Sequence, residues 1–328
     1  MKTALVCGAT GFIGNNLVTR LKKEGYYIIG ADIQPERYKK FDGDRFIQLD
    51  LRKQSSWAFL FESYKFDEIY QLAADMGGAG FVFTGNNDAE IMHNSALINL
   101  NLLSFVDYLK ENKTKIFYSS SACMYPEFNQ TDSNNPNCKE DSAYPAQPDS
   151  EYGWEKLFSE RLYLAFKRNY KLDIRIARFH NIFGMFGSWK DGREKAPAAF
   201  CRKIAEAKMK NSQEIECWGD GNQTRSFLYI DECLEGIRRL MNSDFSEPVN
   251  IGSEEMVTIN EMIEMIQMIA DYKIKVKHIS GPLGVRGRNS DNTLIQEELN
   301  WQPNYSLYKG LSKTYNWIEQ QIKKDLNK

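Results

Sequence analysis

Histidine is scarce, with three residues in 328, and the six cysteines Cys7, Cys123, Cys138, Cys201, Cys217 and Cys233 form no CxxC pair. That spacing argues against a metal centre and a disulfide framework and suits a reducing compartment. No apolar run approaches the roughly 20 residues needed to cross a bilayer. The first β-rich run begins at Thr3, leaving no room for a signal or transit segment, so a soluble, cytoplasmic protein is expected. Neither sign of charge dominates, the formal balance being -2, so there is no electrostatic case for a nucleic-acid or membrane surface. Internal repeats, low-complexity tracts and clean linkers are also missing. The 42% hydrophobic content over this length suffices for one large α/β domain plus a smaller lobe.

What is present starts with a glycine turn. Gly8, Gly11 and Gly14, with Phe12 and Ile13 between the last two, separate an apolar run at 3–7 from a helical pattern at 15–21. Three glycines let the backbone bend sharply and approach a pyrophosphate, whose charge the following helix N-terminus holds. A second apolar run ends at Asp32, about 20 residues on, where a carboxylate meets the adenosine ribose hydroxyls and repels a 2′-phosphate. NAD is therefore predicted over NADP.

Short β-rich runs near 45–49, 68–72 and 115–119 alternate with helix-length stretches, which predicts a Rossmann-type, doubly wound parallel α/β sheet. Asp50, after the third run, suits either an adenine contact or a helix N-cap. Ala73 and Ala74 follow the fourth run, beside the crevice at the strand ends. Apolar positions from Ile91 to Val106 predict a helix over 88–113. The long loop 181–194, with three glycines, has the length of a functional or mobile segment. A helix is expected to start near Ala196 and Pro197. Thr258 and Glu261 form a capping box opening a helix to about Ala270. Runs at 173–178 and 248–252 return to the sheet. The expected division is an NAD-binding domain at 1–180, with returns near 225–255, and a mainly substrate-binding lobe at 181–328.

Tyr152 and Lys156 stand four residues apart, on one helix face. A fixed ammonium there would lower the tyrosine pKa and let it act as a base. Ser121 ends the fifth strand. Cys123, two residues on, is either a small packed hydrophobe or a thiol that ionises near neutral pH and takes a carbon-bound proton. Lys195 precedes a helix N-terminus, where the dipole and cations such as Arg193 would draw its pKa down toward acid/base use; the alternative is a solvated lysine. Lys203, Arg286 and Arg288 are candidate diphosphate contacts, with Arg225 behind them, against the alternative of plain surface cations.

Ser121, Tyr152 and Lys156 behind the glycine turn resemble the catalytic set of the extended short-chain dehydrogenase/reductase family, whose members modify sugar nucleotides. The stretches 73–81, 120–128, 178–184, 192–203, 218–227 and 285–292 further resemble the GDP-sugar 3,5-epimerases of that family. The resemblance implies an NAD-dependent nucleotide-sugar epimerase. It implies transient oxidation at C4 by Tyr152, Ser121 and Lys156, then proton exchange at C5 and C3 by Cys123 and Lys195. It adds Leu51 and Leu72 to Gly8, Gly11, Phe12, Ile13, Gly14, Asp32, Asp50, Ala73, Ala74, Tyr152 and Lys156 around NAD. Around the GDP-sugar it implies Gly77, Gly78, Cys123, Asn181, Glu194, Lys195, Lys203, Arg225, Arg286 and Arg288, with His180 near the sugar or diphosphate. A homodimer paired through 88–113 and 152–167 is implied as well. Departures at Ala79, Val82 and Asn86–Asp88 bear on which sugar is used. The alternatives are another GDP-sugar epimerase, a 4-epimerase or a 4-dehydrogenase; a non-catalytic NAD-binding regulator is opposed by the intact Ser121, Tyr152 and Lys156.

Overall fold

Strict alternation builds the first strand, β1 (Thr3–Cys7), whose Ala4 and Val6 face one side of the sheet while Leu5 and Cys7 face the other. The computed structural model describes residues 1–282 and 284–327. After β1 come α1 (Phe12–Lys23), β2 (Tyr27–Asp32), β3 (Arg45–Gln48), α2 (Gln54–Ser63), β4 (Glu68–Gln71) and the short α3 (Ala79–Val82). Then follow α4 (Asp88–Leu103), α5 (Val106–Glu111), β5 (Lys115–Ser121), α6 (Glu151–Tyr170), β6 (Asp173–Phe179) and β7 (Ile182–Phe183). The chain continues through α7 (Ala196–Lys210), β8 (Glu214–Trp218), β9 (Thr224–Ser226), β10 (Leu228–Tyr229), α8 (Ile230–Asn242) and β11 (Val249–Ile251). It ends with β12 (Met256–Thr258), α9 (Ile259–Ala270), β13 (Lys275–Ile279), β14 (Gly287–Arg288), α10 (Thr293–Leu299) and α11 (Leu307–Leu326).

The central sheet has seven strands in the order β11-β6-β5-β4-β1-β2-β3, every pair parallel. This is the predicted doubly wound architecture. Because β1 pairs with both β2 and β4, the strand order reverses there and opens a crevice at the carboxyl ends. Helices cover both faces: α1, α7, α8, α9 and α11 contribute to one core, and α2, α4 and α6 to the other. Each fully buried Leu, Ile or Phe in these cores contributes about 1.5–3 kcal/mol relative to exposure. Smaller sheets lie outside the main one: β12-β9-β14, β13-β8 and β10-β7.

The helix expected over 88–113 is two helices. Ser104 Oγ donates to the Asn101 carbonyl at 2.8 Å, and Phe105 leaves helical geometry to cap α5 while its ring packs on Phe61. The capping box at α9 is present, with Thr258 Oγ1 accepting from Glu261 N–H at 3.1 Å and Glu261 accepting from Thr258 N–H at 2.7 Å. α6 is bolted to β6 by a buried ion pair between Arg178 and Glu160 at 2.6 Å.

Candidate active site

The crevice begins at the glycine turn. Gly8 has φ +75, and a Cβ on Gly14 would stand 2.0 Å from the Gly8 carbonyl oxygen, so neither position admits a side chain without displacement. Gly11 is the N-cap of α1; no side chain caps that helix and its first turn carries no acid. The amides of its first turn, Phe12 and Ile13 among them, thus suit an anion. Asp32 ends β2 with its carboxylate fixed by two backbone amides, Thr10 at 3.0 Å and Gln34 at 2.9 Å. Leu72 and Ala73 leave β4 so close to Gly8 that a Cβ there would meet their backbone at 3.1–3.2 Å, and Ala74 continues from them. This cradle fits a dinucleotide. Asp50 is a different case: Arg52 engages both carboxylate oxygens, at 2.8 and 3.0 Å, and the α2 N-cap is Lys53. The carboxylate therefore does not cap α2, while Leu51 beside it is buried and accepts from Trp57 Nε1 at 2.8 Å.

Beyond the crevice, β5 ends at Ser121, which caps a short turn by accepting from Cys123 N–H at 3.2 Å. Tyr152 lies in the first turn of α6, itself capped by Ser150, and Lys156 follows one turn later beneath the Tyr152 ring, 5.7 Å from its centroid. Lys156 Nζ donates to the Ser119 carbonyl at 3.0 Å and stands 5.2 Å from the Tyr118 ring centroid. Burial pushes the Tyr152 phenol up, as does the facing Cys123, while the Ser121 hydrogen bond and Arg288 pull it down. The expected lowering by Lys156 is not what sets this phenol: desolvation dominates, and the groups that oppose it are Ser121 and Arg288. Burial draws the Lys156 ammonium down against the opposing pull of Glu155.

Lys195 occupies the N-cap position of α7 without a side-chain capping hydrogen bond, with Pro197 in the first turn. Its pKa is lowered, as expected, but by burial first, with Arg288 as the cation that adds to it. Arg193 is not involved, because it is paired with Asp75 at 3.0 Å and lies over the Phe81 ring. The glycine-rich loop closes against this segment: Gly78 N–H donates to the Arg193 carbonyl at 2.9 Å, and a Gly78 Cβ would lie 2.2 Å from the Glu194 carbonyl oxygen. A Cβ on Gly77 would lie 2.6 Å from the Phe81 side chain. The Glu194 side chain turns back to Gly192 N–H at 2.7 Å and Arg202 at 3.0 Å.

The cations separate into two groups. Arg288 is buried and donates from Nη1 to Cys123 Sγ at 3.0 Å. Arg225 lies near it, hydrogen-bonded to the carbonyls of Thr224 and Val285, and burial together with Arg288 draws its pKa down to about 10. Lys203 instead donates to the Glu216 carbonyl at 2.7 Å, and Arg286 pairs with Asp220 at 3.2 Å, at the end of β8. Asn181 adopts φ +46 and turns its amide to the Ser226 carbonyl. His180, expected beside the sugar or diphosphate, is fully buried, with Nε2 on Asn250 Oδ1 at 2.9 Å.

Four residues of the surroundings carried no motif. Gln130 and Asp149 flank Arg288, accepting from its Nε at 2.5 Å and its Nη2 at 3.3 Å. Glu155 is buried behind Lys156 and accepts from Ser159 Oγ at 2.6 Å. Asn99 joins α4 to α6 and β4 through Ser159 Oγ at 3.0 Å and Gln71 Nε2 at 2.9 Å. Their sole sequence signal is a polar residue on an otherwise apolar helix face or in a loop, which does not identify a partner.

A parallel sheet with a phosphate-ready glycine turn at its switch point, and a serine, tyrosine and lysine gathered beside it, defines an enzyme of the dinucleotide-dependent oxidoreductase and epimerase class. Residues 4–252 match the NAD dependent epimerase/dehydratase family, and the chain belongs to it. GDP-mannose 3,5-epimerase of Arabidopsis thaliana is 48% identical over 98% of this chain and 83% of its own length. UDP-glucuronate 4-epimerase of Thermodesulfobacterium geofontis is 27% identical over 97% of this chain and 96% of its own. Among solved structures, UDP-glucose 4-epimerase of Thermotoga maritima superposes with a TM-score of 0.83 at 22% identity, covering 98% of this chain and 99% of that one, a likeness of fold.

Proposed function

We propose that this protein is a GDP-mannose 3,5-epimerase producing GDP-galactose, GDP-gulose or both. What supports the reading is the 48% identity to the Arabidopsis thaliana enzyme over nearly the whole chain. The observation that carries the chemistry is a thiol and an ammonium, Cys123 and Lys195, standing with Ser121, Tyr152 and Lys156 although hydride transfer needs neither. In this proposal residues 1–180, with returns near 225–255, hold the cofactor and residues 181–328 mainly hold the GDP-sugar.

When bound, NAD would supply a reversible hydride acceptor for C4 and would not be consumed over the cycle. Gly8, Gly11, Phe12, Ile13 and Gly14 would hold its pyrophosphate, Asp32 its ribose, Asp50 and Leu51 its adenine, and Leu72, Ala73 and Ala74 would line its path. Tyr152, assisted by Ser121 and Lys156, takes the C4 hydroxyl proton. The resulting C4 ketone acidifies the hydrogens on C5 and C3, so Cys123 can take a proton from one face and Lys195 return one to the other. Two opposed groups are required, because one base returning its own proton would regenerate the starting configuration. Tyr152 then gives its proton back to the C4 oxygen. Gly77, Gly78, Asn181, Glu194, Lys203, Arg225, Arg286 and Arg288 would surround the substrate.

Incubation with GDP-mannose in heavy water, followed by NMR of the recovered sugar nucleotide, tests this directly. Deuterium at C5, or at C3 and C5, with inverted configuration is expected. A C4-changed or oxidised sugar without deuterium would leave the oxidation standing and reduce Cys123 and Lys195 to substrate contacts. We also propose a cytoplasmic homodimer paired through α4 and α6. Exposed Met92, Leu100, Trp154 (40% exposed) and Phe158 (47%) on these helices support that surface, and Trp154→Glu/Phe158→Glu is expected to sediment as a monomer.

A further inference from the structure

The loop that carries Cys123, the start of the helix that carries Tyr152, and the strand that carries Arg288 meet at one buried guanidinium. Arg288 is 4% exposed, and each of its three nitrogens has a different partner: Nε donates to Gln130 Oε1 at 2.5 Å, Nη1 to Cys123 Sγ at 3.0 Å and Nη2 to Asp149 Oδ2 at 3.3 Å. Gln130 is itself fully buried, and its amide donates to the Tyr125 and Pro126 carbonyls at 3.1 Å each, fixing the chain two and three residues after Cys123. Asp149 accepts from Ser150 Oγ at 3.3 Å, and Ser150 caps the helix whose first turn holds Tyr152. A planar guanidinium gripped at two nitrogens has its third direction decided.

We propose that Gln130 and Asp149 are positioning residues for the carbon-acid step, aiming Arg288 at Cys123 so that the sulfur is held in place and faces a positive charge when it carries a negative one. The inference rests on the proposed role of Cys123 as base. It assigns no part in hydride transfer to either residue, since neither contacts Tyr152, Ser121 or Lys156 by a hydrogen bond among the described residues.

The test uses the holoenzyme with GDP-mannose in heavy water and compares Gln130→Met, Asp149→Asn, the double variant and Cys123→Ala. Two rates are read: deuterium entry at C5 by NMR, and appearance of reduced-nicotinamide absorbance as a readout of C4 oxidation. A displacement near 1 Å of a reacting group costs about 100-fold, so deuterium entry is expected to fall about 10- to 100-fold in the single variants, with oxidation close to wild type. A merely structural role would lower both rates together, and that result overturns the proposal. Wild-type deuterium entry in the double variant, with Cys123→Ala devoid of it, also overturns the proposal while sparing the base. Wild-type deuterium entry in Cys123→Ala removes the base and the inference together. A measurement without substrate guards against misfolding: Cys123 is partly accessible while the other five thiols are buried, so iodoacetamide labelling of native protein reads it selectively. Slower labelling than wild type is expected in both single variants when the circular dichroism is unchanged, and an unchanged labelling rate overturns the proposal.

Discussion

Replacing Gly78 with alanine isolates the contact between the glycine-rich loop and the Lys195 segment. Gly78 has φ -77 and ψ -172, a conformation alanine adopts freely, so the substitution introduces no backbone strain. Its whole effect is steric. The new Cβ would lie 2.2 Å from the Glu194 carbonyl oxygen and 3.3 Å from Lys195 N, whereas ordinary contact starts at 3.4 Å. Relief requires the two segments to part by about 1.2 Å, and a misplacement of that size at a reacting group costs about 100-fold in rate. The hydrogen bond from Gly78 N–H to the Arg193 carbonyl is stretched as well, at about 1 kcal/mol. Although Tyr152 packs in one cluster with Met76, Phe81 and Val82 of the same loop, Tyr152 and Lys156 are carried by α6 and not by either of the two parting segments, so oxidation at C4 should persist. The assay is deuterium entry at C5 alongside reduced-nicotinamide absorbance, with a thermal melt to confirm folding. Deuterium entry about 100-fold slower with oxidation retained is expected. Deuterium entry at the wild-type rate would refute the reasoning that this seam holds Lys195.

Tyr152→Phe removes the group that starts the cycle, so oxidation and deuterium entry should fall together by about 10²–10⁴, the usual worth of a positioned acid/base; exchange persisting at the wild-type rate would remove Tyr152 from the mechanism. Glu160→Gln leaves the buried Arg178 guanidinium without its carboxylate, and urea unfolding should report a loss of about 3–5 kcal/mol; a change below about 1 kcal/mol would mean the pair is replaced locally. Burial holds the pKa of His180 down to about 3 against an ordinary 6.5. Between those values the unfolded chain binds a proton that the folded one refuses, so the stability present above 6.5 is lost progressively as the pH falls toward 3. The urea midpoint should track this, and His180→Gln should flatten the acid limb; an unaltered limb would place the acid sensitivity elsewhere.

The chain's own order of residues already determined the doubly wound sheet, the glycine turn, the Asp32 strand end, the capping box at Thr258 and the pairing of Tyr152 with Lys156. Each is local: it depends on periodicity, on φ freedom at a turn, or on residues within one helical turn. The break after Leu103 is not legible in the sequence because apolar spacing continues across it; the Ser104 back-bond and the Phe105–Phe61 contact end the helix. Which cations meet the site was equally out of reach. Arg286 and Arg288 look alike in sequence, yet one pairs with Asp220 at the rim and the other is buried on Cys123. Lys195 was identified from its place before a helix, but its lowered pKa comes mostly from burial, which only packing of α7 against the rest of the protein supplies. Gln130 and Asp149 carry no motif at all, and 158 and 139 residues separate them from Arg288. Contacts at such separations depend on how strands and helices are stacked in space, so the tertiary structure alone decided them.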